Sequence, residues 1–510
     1  MRRFVWTLAA AAAVGATAVI ALGAGSAFAD PTLRIGLAED PDQLDPTMAR
    51  TFVGRIVFAG LCDKLLDITP DLQIVPMLAT SYEWSEDGKA LTLKLRQGVT
   101  FHDGEPFNAA AVKFNIERHL NMPGSNRKGE IGAISSVDVV DDMTVRINLS
   151  TVFAPLLAQL TDRAGMMISP KAAQAAGADF SRSPVCSGPF KFVERVPQDR
   201  IVLEKFQNYW NKDNIHFDKV IYLPIVDGSV RLANLQSGGI DVIERMLPHD
   251  VTTVQGDKRL KTASIVELGY QGITINTFNG PKAQGALGGP DPRVREAFEL
   301  SIDRDALNQV VYEDQFVPGN QWVPPQSPYY VKSLPVPKRD VARAKQLLKE
   351  AGKPNPVVDF MVPNDTERLQ LAQVIQAMAA EAGFDLRIRA TEFATSLDLG
   401  ERGDFEAYLL AWSGRLDPDG NLFIALGCKG PFNYGKYCKP EVDSEIMAGR
   451  SVLAPEERMK HYTAVAQAAL RDRPVIYLFH RRWLYGYTAK LDGFQPYPDG
   501  LIRLVGMRLQ

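Results

Sequence analysis

The sequence is poor in the residues that most often carry catalysis or hold metals. Its 510 residues include only four cysteines and six histidines. No Cys-x-x-Cys and no pair of histidines at ligand spacing occurs, so neither a metal nor a cofactor is expected. A nucleophile elbow, a His-Glu-x-x-His motif and a Gly-x-Gly-x-x-Gly turn are also absent. These absences predict a protein that is not an enzyme, although a glycosidase-type carboxylate pair stays open.

Concentrated positive charge and long apolar runs are also scarce. Lys and Arg number 57 against 60 Asp and Glu, for a net charge of -3, and no long basic run occurs. Nucleic-acid binding is therefore not expected. Beyond the first 29 residues no apolar stretch reaches membrane-spanning length. The 45% hydrophobic and 23% charged content is typical of a globular protein, and the length predicts two or three domains.

Residues 1–29 are typical of a secretory signal peptide. Arg2 and Arg3 precede an apolar stretch that ends in Ala-Phe-Ala at 27–29, a pattern that signal peptidases cleave. An uncleaved membrane anchor is the alternative, because the stretch is long enough to span a bilayer. No cysteine lies near the cut, since the first is Cys62. We therefore expect a periplasmic protein that is not a lipoprotein.

Four cysteines in an exported chain are able to pair. Cys428 and Cys438 flank a loop rich in Gly, Pro and Asn, which favours a bridge between them. Cys62 and Cys186 then remain as the second pair by elimination. Free buried thiols are the alternative reading for both pairs.

Apolar periodicity predicts an α/β protein. In the first half, strands are expected at 33–37 and 91–95, with a helix from Asn108 to about residue 120. In the second half, helices predicted at 340–350, 366–382 and 455–471 alternate with strands at 357–362, 386–390 and 475–479. Such alternation is typical of an α/β sheet.

Six segments match the motifs of one protein family and stand in the family's order. They are QLDP at 43–46, the strand-turn-helix segment 91–112, SGPF at 187–190, and the segments 291–304, 412–419 and 437–443. Together they resemble the extracytoplasmic solute-binding proteins of the peptide/nickel type, which serve ATP-binding-cassette importers.

This resemblance implies a two-lobed periplasmic-binding-protein fold, type II-like, with an extra subdomain inserted in lobe I. Lobe I is expected from residues 30–71, 184–278 and 484–510, and the inserted subdomain from 72–183. Lobe II is expected at 279–483, with the chain crossing between lobes near Thr277 and Tyr485. A solute would lie in the cleft between the lobes and be enclosed by hinge closure.

The resemblance also implies partners. They are a small peptide or peptide-like solute, and the permease and ATPase subunits of an importer, with the binding protein itself a monomer. Another organic solute, such as an opine, a glycoside or a metal chelate, is the alternative ligand. An exported hydrolase is the alternative from a different class of protein.

The segment after Trp412 departs from the pattern of peptide-binding relatives. In those proteins an Asp three positions after the Trp pairs with the peptide's amino terminus, whereas this chain has Arg415. An arginine suits a carboxylate or phosphate, so we expect an acidic or hydroxyl-rich solute group at Arg415, or Asp417 binding the amine instead. Internal pairing of Arg415 with Asp417 or Asp419 is the alternative.

Three further residues are candidates for the cleft. Trp412 can stack on a solute or pack in the core. Tyr270 lies near the expected lobe junction. Arg368 opens a lobe II helix and by family analogy meets a carboxylate, with a solvated helix face as the alternative.

Overall fold

The computed structural model describes residues 31–510. The predicted signal peptide, 1–29, lies outside the described residues. Within 31–510, no helix combines the length and apolar character that a membrane span requires.

Twenty-one strands occur in the described part of the chain. They are β1 Thr32–Leu37, β2 Leu66–Ile68, β3 Ile74–Pro76, β4 Ala79–Trp84, β5 Ala90–Leu95, β6 Ile134–Asp141, β7 Thr144–Leu149, β8 Phe190–Val196, β9 Arg200–Lys205, β10 Lys219–Pro224, β11 Val242–Ile243, β12 Leu260–Val266, β13 Tyr270–Ile275, β14 Val317–Pro318, β15 Val357–Pro363, β16 Asp385–Thr391, β17 Ala407–Trp412, β18 Val475–His480, β19 Arg482–Thr488, β20 Leu491–Asp492 and β21 Arg508–Leu509.

Fifteen α-helices accompany these strands between residues 31 and 510. They are α1 Phe52–Leu61, α2 Ala109–Asn121, α3 Lys128–Ile131, α4 Leu156–Gln159, α5 Pro170–Ala176, α6 Gly228–Ser237, α7 Val251–Gly256, α8 Arg293–Ser301, α9 Arg304–Tyr312, α10 Val341–Glu350, α11 Thr366–Ala382, α12 Phe393–Arg402, α13 Asp419–Leu426, α14 Pro440–Arg450 and α15 Pro455–Asp472.

Two large sheets define the two lobes. The sheet of lobe I has seven strands in the order β12-β19-β11-β1-β10-β9-β8, with β1 parallel to both β10 and β11. The sheet of lobe II has six strands in the order β14-β18-β13-β17-β15-β16, with β15 parallel to β16 and β17. The lobe II sheet packs into one apolar core, which extends to β11, β12 and β19 of lobe I, and the rest of the lobe I sheet packs into a second core. The two-lobed α/β architecture is therefore as predicted.

The helices of lobe II begin and end where local sequence directs them. Asp365 caps α11, since its carboxylate accepts a hydrogen bond from the Arg368 N–H at 3.0 Å. Gly383 ends the same helix with φ 105°, a left-handed conformation that suits glycine. Asp303 and Asp340 cap α9 and α10 in the same way. The helices predicted from periodicity agree with the structure because caps and stops are local signals.

A third sheet forms the inserted subdomain. Its four strands run in the order β4-β5-β7-β6, and α2 packs on it through Val112 and Ile116. A disulfide bond joins Cys62, directly after α1, to Cys186, shortly before β8. This bridge therefore ties the segment that enters the subdomain to the segment that leaves it.

The chain passes between the lobes at two places. The first lies between the end of β12 at Val266 and the start of β13 at Tyr270, and the second is at Arg481, between β18 and β19. The sequence placed these crossings near Thr277 and Tyr485, so the first lies earlier than expected. Strand β13 is almost wholly buried and would fit either sheet, and only its pairing with β17 and β18 assigns it to lobe II.

Candidate functional site

A cavity lies between the two lobes, beside both chain crossings. It encloses about 1020 Å³ of space, including the part open to solvent. Lobe I contributes Glu39, Phe52 and Arg245 to its wall, and lobe II contributes Arg368 and Trp412. A cavity walled by both halves of a hinged protein is a site whose occupant can contact both lobes at once.

Aromatic rings form much of the wall. On lobe I, Phe52 stacks on Trp483 with ring centroids 4.5 Å apart. On lobe II, Trp412 lies 5.3 Å from Phe432, whose ring meets that of Tyr434 edge-on at 6.1 Å. All five line the cavity, which therefore offers broad apolar surfaces to a solute.

Trp412 is held by the residues around it. Its indole Nε1 donates to Asn421 Oδ1 at 3.0 Å, and the same oxygen accepts the Arg415 backbone N–H at 2.7 Å. A Cβ added at Gly269 would lie 1.7 Å from the Trp412 carbonyl oxygen. Only glycine allows the crossing segment to approach β17 this closely, so the crossing and the indole are positioned together.

Tyr270 and Arg368 also line the cavity. Tyr270 packs its ring edge-on against Tyr477 at 4.7 Å, and burial raises the pKa of its hydroxyl. The Arg368 guanidinium donates to Asp365 at 2.9 Å and lies over the Phe393 ring at 5.2 Å. Its side chain is only 14% exposed, so it does not belong to a solvated helix face.

The structure places Arg415 elsewhere. Its guanidinium is buried and lies 2.8 Å from Asp162 in the inserted subdomain. It also lies over the Trp412 ring, 4.6 Å from the ring centroid. Burial lowers the pKa of Arg415 to about 10, which leaves it charged at neutral pH. Neither of the expected internal partners, Asp417 or Asp419, takes this role. Arg415 lines a second space between the lobes and not the aromatic cavity.

Asp417 is likewise engaged within the protein. Its two carboxylate oxygens each accept a hydrogen bond from Arg458 at 2.7 Å. It too lines the second space rather than the aromatic cavity. The sequence pattern marked these charged residues as candidates, but their partners come from segments that the pattern does not connect to them.

The cavity contains charged residues that the sequence did not single out. Arg245 donates to Glu39 at 2.9 Å and to Glu244 at 2.8 Å. Arg481 donates to Glu367 at 2.9 Å. Burial would raise the pKa of Glu39, but the nearby arginines, Arg245 foremost, lower it overall. No motif surrounds these residues, and the only signal in the sequence was that Glu39, Arg245 and Arg481 each lie just beyond the end of a strand.

The bridge predicted between Cys428 and Cys438 also lies beside the cavity. Cys428 and Cys438 are joined, and their loop carries Phe432 and Tyr434 to the wall. Within residues 31–510, no group of three or more His, Cys, Asp or Glu side chains is placed to hold a metal ion.

Comparisons with known proteins agree with this architecture. The family described as bacterial extracellular solute-binding proteins, family 5, middle region, matches residues 73–433. A glutathione-binding protein of Pectobacterium atrosepticum is 28% identical over 508 residues, which covers 96% of each chain.

Two solved structures are similar over nearly their whole length. The periplasmic binding protein DppA of Helicobacter pylori, in complex with the peptide STSA, is 25% identical with a TM-score of 0.85 and covers 94% of this chain and 98% of its own. The binding protein AgaA of A. tumefaciens R10, in complex with agropinic acid, is 25% identical with a TM-score of 0.84. The match covers 94% of this chain and 99% of AgaA. The chain therefore belongs to the family 5 extracellular solute-binding proteins, which serve ATP-binding-cassette importers.

Proposed function

We propose that this protein captures a peptide or peptide-like solute between its lobes in the periplasm and delivers it chemically unchanged to an importer's permease and ATPase subunits. The observation that carries this proposal is the cavity walled by aromatic and charged residues of both lobes. The similarity to a glutathione-binding protein and to a peptide-bound DppA supports a peptide-like solute.

The mechanism depends on differential affinity. A solute that contacts lobe I and lobe II at once favours the closed arrangement. Only contacts that form in the closed arrangement and not in the open one shift the population toward closure. Micromolar affinity requires about 8 kcal/mol of net binding free energy. Stacking on Trp412 and a carboxylate on Arg368 are the contacts that we expect to contribute from lobe II.

The proposal includes export and release into the periplasm. We infer that residues 1–29 are removed and that the mature chain acts as a free monomer. Cys62, the first cysteine of the sequence, is buried and bonded to Cys186, so it offers no thiol for a lipid anchor. Mass spectrometry of the protein secreted to the periplasm should show a chain that begins at Asp30.

The test is calorimetric titration of the mature protein with glutathione and with the peptide STSA, combined with native mass spectrometry. We expect at least one of them to bind in the micromolar range and to be recovered intact. Turnover of a bound peptide would instead support the exported hydrolase.

Trp412→Ala should weaken binding of that solute about tenfold, since a stacked aromatic contact contributes about 1 kcal/mol or more. The matched control is Trp84→Ala, because Trp84 ends β4 in the inserted subdomain and lines neither space between the lobes. Equal affinities of both variants would remove Trp412 from the site.

A second candidate solute is an organic acid that is not a peptide. The likeness to AgaA in complex with agropinic acid favours it. Binding of agropinic acid, with no response to glutathione or STSA, would select this candidate over the first.

A further inference from the structure

Three residues that line the cavity each carry a buried polar atom that has no hydrogen-bond partner within residues 31–510. These atoms are Nη2 of Arg245, Nε of Arg481 and Oε2 of Glu267. A buried polar atom without a partner costs about 1 to 3 kcal/mol, and more if it is charged. The residues around this cavity thus carry two donors and one acceptor that the protein leaves without a partner.

The remaining atoms of these groups are fixed by the protein. Oε1 of Glu267 accepts the Arg481 backbone N–H at 2.8 Å and the Gln271 side chain at 3.0 Å. Arg245 uses its other nitrogens for Glu39 and Glu244. Glu267 and Arg245 therefore each keep one polar atom free in a defined place, which is the preorganised arrangement expected of a binding site.

The local charge balance restricts what these atoms can receive. Arg245 faces Glu39 and Glu244, Arg368 faces Asp365, and Arg481 faces Glu367. Three of the four arginines that line the cavity are therefore paired with protein carboxylates, which leaves little surplus positive charge for a phosphate or another polyanion. A group with its own balancing charge, a zwitterion, fits this wall better.

The backbone at Arg245 points in the same direction. Its φ is 48°, in the left-handed region that residues other than glycine, Asn and Asp seldom adopt. Such strain persists where the surrounding structure enforces it, and it concentrates at ligand sites. The strained turn presents the Arg245 side chain to the cavity.

Glu267 and Arg481 lie close together. Arg481 and Glu267 are linked directly through the Arg481 backbone N–H, so the acceptor Oε2 and the donor Nε belong to neighbouring groups. A carboxylate and an ammonium that meet both must therefore be close to each other in the solute. A free amino-acid group carries its ammonium and its carboxylate on one α-carbon. In an ordinary α-linked peptide the amino-terminal ammonium and the carboxy-terminal carboxylate stand at opposite ends.

We propose that Arg245, Arg481 and Glu267 bind an α-amino-acid head group, with its carboxylate on the two arginines and its ammonium on Glu267. This inference rests on the proposed function and specifies the solute class: a molecule that carries a free α-amino-acid group at one end, as γ-linked peptides do. The aromatic residues then receive the rest of the solute.

The test uses calorimetric titration at pH 7 to compare the affinities of two tripeptides that contain the same three residues. Glutathione, γ-Glu-Cys-Gly, carries the free head group, and the α-linked peptide Glu-Cys-Gly does not; STSA is a third probe. We expect glutathione to bind at least about tenfold more tightly than its isomer, since a hydrogen bond to a charged group contributes about 1.5 to 3 kcal/mol.

Variants assign the effect to the three residues. Glu267→Gln, and separately Arg245→Lys, should reduce the preference for glutathione to about twofold or less, with folding verified by circular dichroism. Arg200→Ala is the control, because Arg200 pairs at the surface with Glu194 and does not line the cavity. A preference unchanged in both cavity variants would overturn the assignment.

The remaining outcomes are separable. If both isomers bind equally, or if STSA binds and neither isomer does, the head-group inference fails while peptide capture stands. If none of the three probes binds, the peptide-like function fails and this inference fails with it.

Discussion

At the residue scale, the side chains of the cavity are positioned by protein partners. Asn421 holds both the Trp412 indole and the backbone of Arg415, and it also donates to the Leu268 carbonyl in the first crossing at 2.9 Å. Asp365 fixes Arg368. Side chains held in this way lose little conformational entropy when a solute binds, which leaves more of the contact energy for affinity.

Glu267 gives a prediction on pH. Burial raises its pKa from an ordinary 4.5 to about 7, with Arg481 opposing the shift. Between pH 4.5 and 7 the folded state holds the proton more strongly than the unfolded chain does, so this contribution to stability is complete below pH 4.5 and lost as the pH rises through 7. Relative to Glu267→Gln, the wild type should lose about 2 to 3 kcal/mol of unfolding free energy from pH 5 to pH 8.

Urea unfolding at several pH values measures this difference. Glu86→Gln, which alters an exposed glutamate of the inserted subdomain, is the control variant. A flat difference between wild type and Glu267→Gln would mean that Glu267 is already ionised at pH 5.

At the element scale, the two disulfide bonds constrain the chain to different degrees. The Cys62–Cys186 bond closes a loop with a sequence separation of 124, which contains the inserted subdomain, whereas the Cys428–Cys438 bond closes one of 10. A longer closed loop removes more conformations from the unfolded chain. The first bond therefore stabilises the connection between subdomain and lobe, and the second shapes the cavity loop.

Replacing each pair with serine should separate these effects. On the chain-entropy model the Cys62→Ser/Cys186→Ser variant should lose about 5 kcal/mol, and the Cys428→Ser/Cys438→Ser variant about 2.5 kcal/mol. Thermal and urea unfolding provide the measurement. Solute affinity should fall mainly in the second variant, because its loop carries Phe432 and Tyr434. A larger stability loss from the short loop would contradict the entropic account.

At the scale of the whole molecule, a buried ion cluster connects the lobes. Asp162 of the inserted subdomain lies 3.0 Å from Arg55 of α1 and 2.8 Å from Arg415 of lobe II. Burial would raise the pKa of Asp162, but Arg55 and Arg415 hold it well below its usual range. The stability that ionised Asp162 contributes to the folded state is therefore present above pH 4 and is lost only in stronger acid. Closure thus involves protein contacts as well as the solute.

Asp162→Asn should shift the solute-free protein toward open lobes. It leaves Arg55 and Arg415 buried without their carboxylate, a change that is strongly unfavourable in a closed arrangement. Small-angle scattering should show a larger radius of gyration than for the wild type, with the difference removed by saturating solute, and affinity should fall about tenfold.

Asp398→Asn is the matched control. Asp398 is 60% exposed and lies 3.7 Å from Arg50 across the cleft, so this pair should contribute little. Identical scattering of Asp162→Asn and wild type, each without solute, would show that the buried cluster does not bias closure.

The cavity was only partly predictable. The sequence singled out three residues that line the cavity: Trp412, Tyr270 and Arg368. Local sequence defines the positions of a tryptophan at a strand end and of an arginine in the first turn of a helix. Arg245 and Glu267 also line the cavity but were not singled out, and Arg415 lines the second space instead. What distinguishes these residues is their partners, and those partners belong to other segments of the chain.

The sequence by itself determined the predicted helices and strands and the order of the family motifs, because periodicity, capping and spacing are properties of neighbouring residues. Only the tertiary structure decided where the chain crosses between lobes, and that Arg415 meets Asp162 while Arg245 meets the cavity. Burial and ion pairing depend on distances between segments far apart in the chain, and a linear pattern does not specify them.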